Sequence, residues 1–406
     1  MRLHVEPGST SIGNVKIHQI SRVIELDAGH IEEKISKPST GNVRFSRESL
    51  LAIEARLAII IPCMNEEQNI LDGVLHGVPH DSLIIIVSNS DEAKFQAECE
   101  LFADFCKNTE RSGIIVHQHD GAIAHAFREA GMSELIHEGS APLRVRNGKG
   151  EAMMIGVVLA KIAGEQFVGF IDADNLVAGS VHEYCKVYAA GLHHALHNAS
   201  NWESTSKPKH AMVRIKWNSK PKVRDGEIVF EPSGRSSIVV NKWMNRLLRA
   251  ITPTATDTLI QTGNAGEHAM SLDLAMTLRF ATGYAVEPFQ LIDVCERLDD
   301  VQIFQVETRN PHFHDISKGD EHIERMQVQG LSTIYHSSLT PPELKEELKG
   351  YLANEFPKAL GADGAPAQAK TYPPMHTMNL KAFGAALETR RGTLRVHGPC
   401  IDEKDN

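Results

Sequence analysis

Gln166-Phe167-Val168-Gly169-Phe170-Ile171-Asp172-Ala173-Asp174-Asn175 joins an unbroken apolar run to a cluster of carboxylates and an amide. A run of that length without polar alternation reads as a strand buried on both faces, as in a parallel sheet. Two carboxylates at i and i+2 can both approach one point where the chain turns past a strand end. A hard divalent cation accepts such oxygens and keeps positions open for phosphate. Most Asp-x-Asp triplets lie in surface turns, so the strand before this one is what favours a site.

Three earlier runs repeat the arrangement. Leu57-Ala58-Ile59-Ile60-Ile61-Pro62 is followed by Asn65-Glu66-Glu67, which reads as a cap and first helical turn. Leu83-Ile84-Ile85-Ile86-Val87 ends in Ser88-Asn89-Ser90, and Gly113-Ile114-Ile115-Val116 ends in His117-Gln118-His119-Asp120. Helix-compatible stretches, for example 93–107 and 150–163, separate them. Strands alternating with helices describe an open α/β sheet, in which ligands bind outside the carboxyl ends of the strands. The four polar clusters are therefore expected to meet at one rim. Beyond residue 200 the pattern loosens. Residues 211–217 alternate like a half-buried strand, 266–282 are helical in character, and 301–306 alternate again.

The chain has 406 residues, 42% hydrophobic and 23% charged, which suits two domains or one core with large additions. Its six cysteines are scattered without a C-x-x-C pair, against a disulfide scaffold or zinc ribbon and in favour of a reducing compartment. No apolar run reaches the ~18 residues needed to cross a bilayer, and the first residues lack an apolar signal region. A cytoplasmic protein with no membrane partner is expected. The net charge of −10 disfavours a nucleic-acid binder. Anionic small molecules remain compatible, because cations cluster at Arg144, Arg146 and Lys149, at Arg214, Lys216, Lys220, Lys222 and Arg224, and at Lys242, Arg246 and Arg249. The bland alternative for each cluster is a solvated face.

Gly148-Lys149-Gly150-Glu151 lies between basic residues and a helix, where backbone N–H groups and the helix N-terminus favour an anion. It is not a phosphate-binding loop of ATPase type. Thr262-Gly263-Asn264-Ala265-Gly266-Glu267-His268 has the same small-residue character, with an ordinary helix cap as its alternative. Asn310-Pro311-His312-Phe313-His314-Asp315, with Lys318-Gly319-Asp320-Glu321-His322, is the densest His and acid cluster. Imidazoles at 312 and 314 are candidate Mn²⁺ or Zn²⁺ ligands.

These blocks together resemble mannosyl-3-phosphoglycerate synthases. The resemblance rests on Pro62-Cys63-Met64-Asn65-Glu66, Ser88-Asn89-Ser90, His117-Gln118-x-Asp120, Gly148-Lys149-Gly150-Glu151 and the stretch quoted first. It continues through 263–270, Gly283-Tyr284-Ala285-Val286-Glu287-Pro288 and 307–314, and spans about residues 12 to 340. It implies a GT-A fold, a mixed and mainly parallel sheet flanked by helices, with an acceptor-side and a C-terminal extension. It implies a retaining transferase moving mannose from GDP-mannose to 3-phosphoglycerate with a divalent metal: Mg²⁺, Mn²⁺ or Co²⁺, with Zn²⁺ as a further candidate. Residues 1–50 would pack on the core. The nucleotide-sugar half would span 51–200 and the acceptor and metal half 201–340. The extension would span 341–406. Local composition, independently of the resemblance, makes 37–41 a loop and 359–370 a flexible linker.

Carried over by position, Pro62, Asn65, Glu66, Ser88, Asn89 and Ser90 would line the nucleotide pocket. Gln118 and Lys149 would contact base, ribose or diphosphate. Asp174 and His312 would be the protein ligands of the metal, with His314 as a further candidate, and Asp172 and Ala173 would face the donor. Glu267 would sit by the transferred mannose. Arg146, Asn147, Thr262, Asn264 and Ala265 would be near the phosphoglycerate. A homodimer is a candidate assembly. The sequence departs from the family pattern at Met64, where a basic residue is usual, at His119 in place of a common lysine, and at Asn147 in place of a serine. These departures keep two alternatives open: a related transferase using a glucose donor or a glycerate acceptor, and a sugar-nucleotide binder without catalysis.

Overall fold

The computed structural model describes residues 1–27, 41–137, 139, 141–197, 209–224, 227–314, 319–390 and 392–398. The expected loop at 37–40, and Asp315 and Lys318 of the His and acid cluster, lie outside these residues. The four apolar runs form adjacent strands. Leu57–Cys63 pairs in parallel with both Leu83–Ser88 and Phe167–Phe170, and Leu83–Ser88 pairs in parallel with Gly113–His117. Their pleat divides the side chains between two apolar layers. Ile60, Ile85, Val87 and Val116 face one layer, and Ile59, Ile61, Ile84, Ile86 and Ile115 face the other. Both faces are covered by helices, which is why the sequence shows continuous apolar runs rather than alternation. On one side, residues 150–160 of the helix Lys149–Ile162 are all buried. Gly156 permits that approach, since a Cβ there would sit 2.4 Å from Ile60 Cγ2.

Beyond Phe167–Phe170 the sheet changes direction. His268–Ser271 runs antiparallel to it and to His210–Lys216, which then pairs in parallel with Val301–Glu307. The helical expectation for 266–282 is thus corrected. Cross-strand pairing on both sides claims 268–271, leaving a helix only at Leu272–Thr277 before a two-residue strand, Phe280–Ala281. The expected half-buried character of 211–217 is corrected too: residues 211–215 are buried because that strand is interior. Val301–Glu307 pairs on its other edge with Val15–Glu25, so the N-terminal strands extend the same sheet.

The stretch near 359–370, expected as a flexible linker, makes hydrogen bonds to its surroundings. Gly361 N donates to Ala365 O at 2.8 Å, and Ser332 Oγ and His336 Nε2 bond the Ala367 and Pro366 carbonyls at 2.6 and 2.8 Å. Small residues there allow a tight turn against helix Asp320–His336. The chain then returns to the first half, where Arg395–His397 adds an edge strand to Gly113–His117. Among the described residues no helix is long and apolar enough to cross a membrane, and the five described cysteines are unpaired.

His194 lies between Phe304 and Phe45, ring centroids at 5.2 and 6.3 Å. Burial, aided by His18 and His193, pushes its imidazole down to about 4. The unfolded chain takes up that proton at about pH 6.5 and the folded chain only near pH 4, so stability is complete above pH 6.5 and lost as pH falls between the two. Denaturant unfolding from pH 7 to 4 should show a loss of up to about 3 kcal/mol from this group. His194→Gln should flatten that slope; an unchanged slope would assign the acid sensitivity elsewhere.

Candidate active site

Backbone hydrogen bonds draw the strand ends together. Asn89 N donates to Cys63 O at 2.8 Å and Gln118 N to Ser88 O at 2.6 Å. Asn65 takes φ 60, which an asparagine tolerates better than most residues. Its N–H donates to Ser90 Oγ at 2.7 Å, its Oδ1 accepts from Asp91 N at 3.0 Å, and its carbonyl accepts from Lys94 Nζ at 2.7 Å. Ser90 Oγ in turn donates to the buried Glu98 at 2.5 Å. Pro62 and Glu66 stand half-buried on either side of this turn, and Ser88 is fully buried. Asp120 serves as the N-cap of helix Gly121–Glu129, accepting from Ala122 N and Ile123 N.

Gln118 and Lys149 both have partners within the protein. Gln118 is buried, and its Nε2 donates to the carbonyls of Arg146 and Gly148 at 2.8 and 3.0 Å, fixing the basic loop. Asn89 Nδ2 reaches the same loop at Asn147 Oδ1, 2.6 Å away. Arg146 is half-buried, with its Nε donating to Glu134 O at 3.2 Å.

Lys149 Nζ sits 2.5 Å from Asp172 and 2.7 Å from Glu287. Burial works against its charge, but the two carboxylates outweigh it and hold the ammonium well above its ordinary value. Asp172 also lies against the small-residue loop, since a Cβ on Gly266 would be 2.3 Å from Asp172 Oδ2 and 3.1 Å from Lys149 Nζ. Only glycine lets the two segments meet there. The next residue, Glu267, is fully buried and accepts from Asn175 Nδ2 at 3.1 Å through Oε1. Its Oε2 has no partner. Burial, with Asp172 adding to it, pushes the carboxyl up to about 7. Asn175 Nδ2 also donates to Asp172 O, closing the turn that carries Ala173 and the buried Asp174.

His312 and His314 arrive beside that turn. Asn175 bridges His314 and Leu176 N donates to Phe313 O at 3.0 Å. The His312 ring stacks on Trp217 at 4.2 Å and its Nδ1 lies 3.2 Å from Tyr184 Oη. Burial, then Lys220, His314 and Lys149, hold its imidazole well below the ordinary value. It is therefore neutral at physiological pH, the state a metal ligand requires. Glu183, fully buried, holds the approach to it by accepting from Arg309 N, Asn310 N and Asn310 Nδ2 at 2.7–2.9 Å. Among the described residues no three His, Cys, Asp or Glu side chains gather as a self-sufficient metal site. Asp174 and His312 are the residues that could hold a cation completing its shell with substrate oxygens.

Thr262 and Ala265 are tied into the loop by hydrogen bonds. Thr262 Oγ1 donates to Gln305 at 2.8 Å, Gly263 N to Asn241 at 2.7 Å and Ala265 N to Thr262 O at 3.1 Å. Asn264 differs. It is buried with both amide atoms unpartnered, in a depression shared with Trp217, Ser233, Gly234 and Ser237. Gly234 is the N-cap of helix Arg235–Ile251, whose amide dipoles favour an anion at that end.

Sequence reading missed Glu287, Glu183 and the Gly234–Ser237 turn. Glu287 falls inside a quoted block but had no partner to give it meaning. Glu183 lies within an ordinary helical run. The turn at 234 carried only small residues.

An open mixed sheet with a paired-carboxylate turn after a central parallel strand, a cation beside it and a neutral histidine facing it, defines a GT-A nucleotide-sugar transferase. The fold is similar to that of glucosyl-3-phosphoglycerate synthase from Mycobacterium tuberculosis, solved with Mn²⁺, UDP-glucose and glycerol 3-phosphate. That similarity has TM-score 0.50 and 20% identity, over 82% of this chain and 96% of that one. Within the class, a family model of mannosyl-3-phosphoglycerate synthase matches residues 6–387. Mannosyl-3-phosphoglycerate synthase of Pyrococcus furiosus is 35% identical over 95% of this chain and 97% of its own length. That of Aeropyrum pernix is 33% identical over 92% and 94%. The chain belongs to the mannosyl-3-phosphoglycerate synthase family.

Lys149→Ala leaves Asp172 and Glu287 facing each other without their shared cation. Removing one partner from a buried ionic group costs about 3–5 kcal/mol. Denaturant unfolding should report that loss. Lys149→Ala combined with Glu287→Gln should recover part of the stability but no turnover. Full recovery of turnover would remove Lys149 from the site.

Proposed function

We propose that the chain transfers mannose from GDP-mannose to 3-phosphoglycerate with retention of configuration, giving mannosyl-3-phosphoglycerate. The observation that carries this reading is family membership along nearly the whole chain, joined to an intact Asp172-Ala173-Asp174 turn locked to Lys149. The donor would enter along the rim formed by Pro62, Asn65, Glu66 and residues 88–90. Asp174 and His312 would hold a divalent ion, Mg²⁺ or Mn²⁺ by preference, with His314 beside them. Such an ion, when bound, neutralises the leaving diphosphate.

The chain's own residues carry the remaining steps. Lys149 pairs with Asp172 and so would hold the carboxylate turn and its own ammonium in place beside the diphosphate, with no reorganisation needed as the leaving group departs. The bond from the mannose anomeric carbon to phosphate oxygen breaks, and one to the acceptor hydroxyl oxygen forms on the same face. The hydroxyl proton passes to the departing phosphate oxygen. Glu267 is buried and engaged with Asn175, which supports a role in fixing the turn over one as a covalent nucleophile. The acceptor's charges would be met by Arg146, by the helix N-terminus at Gly234 and by the unpartnered Asn264 amide.

A second reading, another donor, has a specific motive. Met64 is exposed on the donor rim, 3.7 Å from Asn89 Nδ2 through its sulfur. Burial and His117 hold the His119 imidazole below its usual value, so neither position supplies a cation at neutral pH. A matrix of GDP-mannose, GDP-glucose and UDP-glucose against 3-phosphoglycerate and glycerate decides between them. GDP-mannose with 3-phosphoglycerate should give the highest kcat/KM. Tight GDP-mannose binding without GDP release would leave a binder.

Asp174→Ala should abolish transfer at unchanged melting temperature, and chelation should abolish it in the native protein, with recovery on adding Mg²⁺ or Mn²⁺. Normal turnover by Asp174→Ala would show the metal assignment to be wrong. Arg146→Ala should raise the KM for 3-phosphoglycerate tenfold or more, about 1.5–3 kcal/mol for a charge-assisted bond, while the donor KM moves much less. A change confined to the donor KM would place Arg146 on the nucleotide side.

A further inference from the structure

Arg214 is the largest fully buried side chain among the described residues, on the interior strand His210–Lys216. A guanidinium without solvent is costly unless its donors are satisfied, and an apolar side chain of similar size would spare that cost. The satisfaction here is specific. Nε and Nη2 both donate to the Thr262 carbonyl, at 3.0 and 2.8 Å. Nη2 also reaches Gly263 O at 3.3 Å and Glu287 O at 3.2 Å. Nη1 has only the Met212 sulfur, 3.9 Å away. Its oxygen acceptors are thus backbone carbonyls from two segments far apart in the chain. One segment is the small-residue loop. The other is the first turn of helix Val286–Arg297, whose Glu287 side chain grips Lys149.

We infer that Arg214 is a positioning residue that sets the acceptor loop 262–265 against the Lys149–Glu287 pair, and thereby sets affinity for the phosphorylated acid. This rests on the reading of that loop as the acceptor side. The planar fork of an arginine can gather three carbonyls in one plane, and a lysine cannot. With Thr262 O held by Arg214 and Thr262 Oγ1 held by Gln305, the loop presents Asn264 as its open polar group. A shift of the Thr262 backbone would carry Asn264 away from the depression at Gly234, while the strand-end turns at 62–66 and 88–90 make none of the Arg214 contacts.

The test compares full-length wild type, Arg214→Lys and Arg214→Met. Both variants should melt cooperatively, the methionine variant keeping the packing volume. Arg214→Lys should raise the KM for 3-phosphoglycerate at least tenfold, with the GDP-mannose KM within threefold and kcat reduced less than fivefold. Amide hydrogen exchange, which needs no turnover, should accelerate at 261–266 and not at 57–66 or 83–90. A lower melting temperature with both KM values unchanged would make Arg214 merely structural and overturn the inference. So would a shift dominated by the donor KM. A wild-type enzyme that takes no 3-phosphoglycerate would instead overturn the acceptor reading and the inference with it, which separates the two failures.

Discussion

The ammonium of Lys149 stands between Asp172 and Glu287, and most of the site is arranged around that contact. Two carboxylates approach it from different elements: one from the turn after a central strand, the other from a helix in the second half of the chain. Without a shared cation they would repel in a poorly hydrated place, and the halves of the site would separate. The lysine sits in the first turn of a helix, a position otherwise better suited to an anion, so its carboxylate partners are what keep it there. Gly148 and Gly150 on either side, and Gly266 opposite, give room for the close approach. A Cβ on Gly150 would fall 2.0 Å from Ala281 O.

The second constraint is desolvation at His312. A histidine stacked on Trp217 and bonded to Tyr184 could be read as ordinary core packing. Its neighbours are what suit it to the proposed metal role. Surrounding positive charge and burial keep it neutral, and Glu183 freezes the approach through three hydrogen bonds. The result is a neutral imidazole held in place on the segment that pairs with Asn175 of the carboxylate turn. The same logic governs Asn264, whose amide is buried without partners at the N-terminus of a seventeen-residue helix. A buried unpaired amide is expensive, and a bound anion or water that pairs with it removes the cost.

The C-terminal extension is bound to these features rather than appended to them. Tyr372 Oη donates to the buried Glu151 at 2.6 Å, two residues from Lys149. Thr393 Oγ1 donates to Asp120 at 2.7 Å and accepts from His117 N at 3.0 Å. The extension therefore braces the basic loop and the third strand end.

The four parallel strands, the helices between them and the convergence of polar clusters at one rim were legible in the sequence. Continuous β-branched runs ending in polar residues have few other physical solutions, and the Asp172-Ala173-Asp174 turn could be placed by its strand alone. The resemblance in blocks of six to eight residues carried the family. Contacts between distant segments were decided by tertiary structure. Nothing local tells 268–271 to be a strand, because cross-strand hydrogen bonds from both neighbours override its helical character. Nothing local pairs Glu287 with Lys149, or turns Gln118 inward to hold the carbonyls of the basic loop. Arg214 read as one member of a cation cluster, for an anion or for a solvated face; only an interior place in the sheet, fixed by partners on both edges, makes it a buried clamp. Periodicity records which face of an element is apolar, whereas the partner of a buried charge depends on where the whole chain brings its other elements.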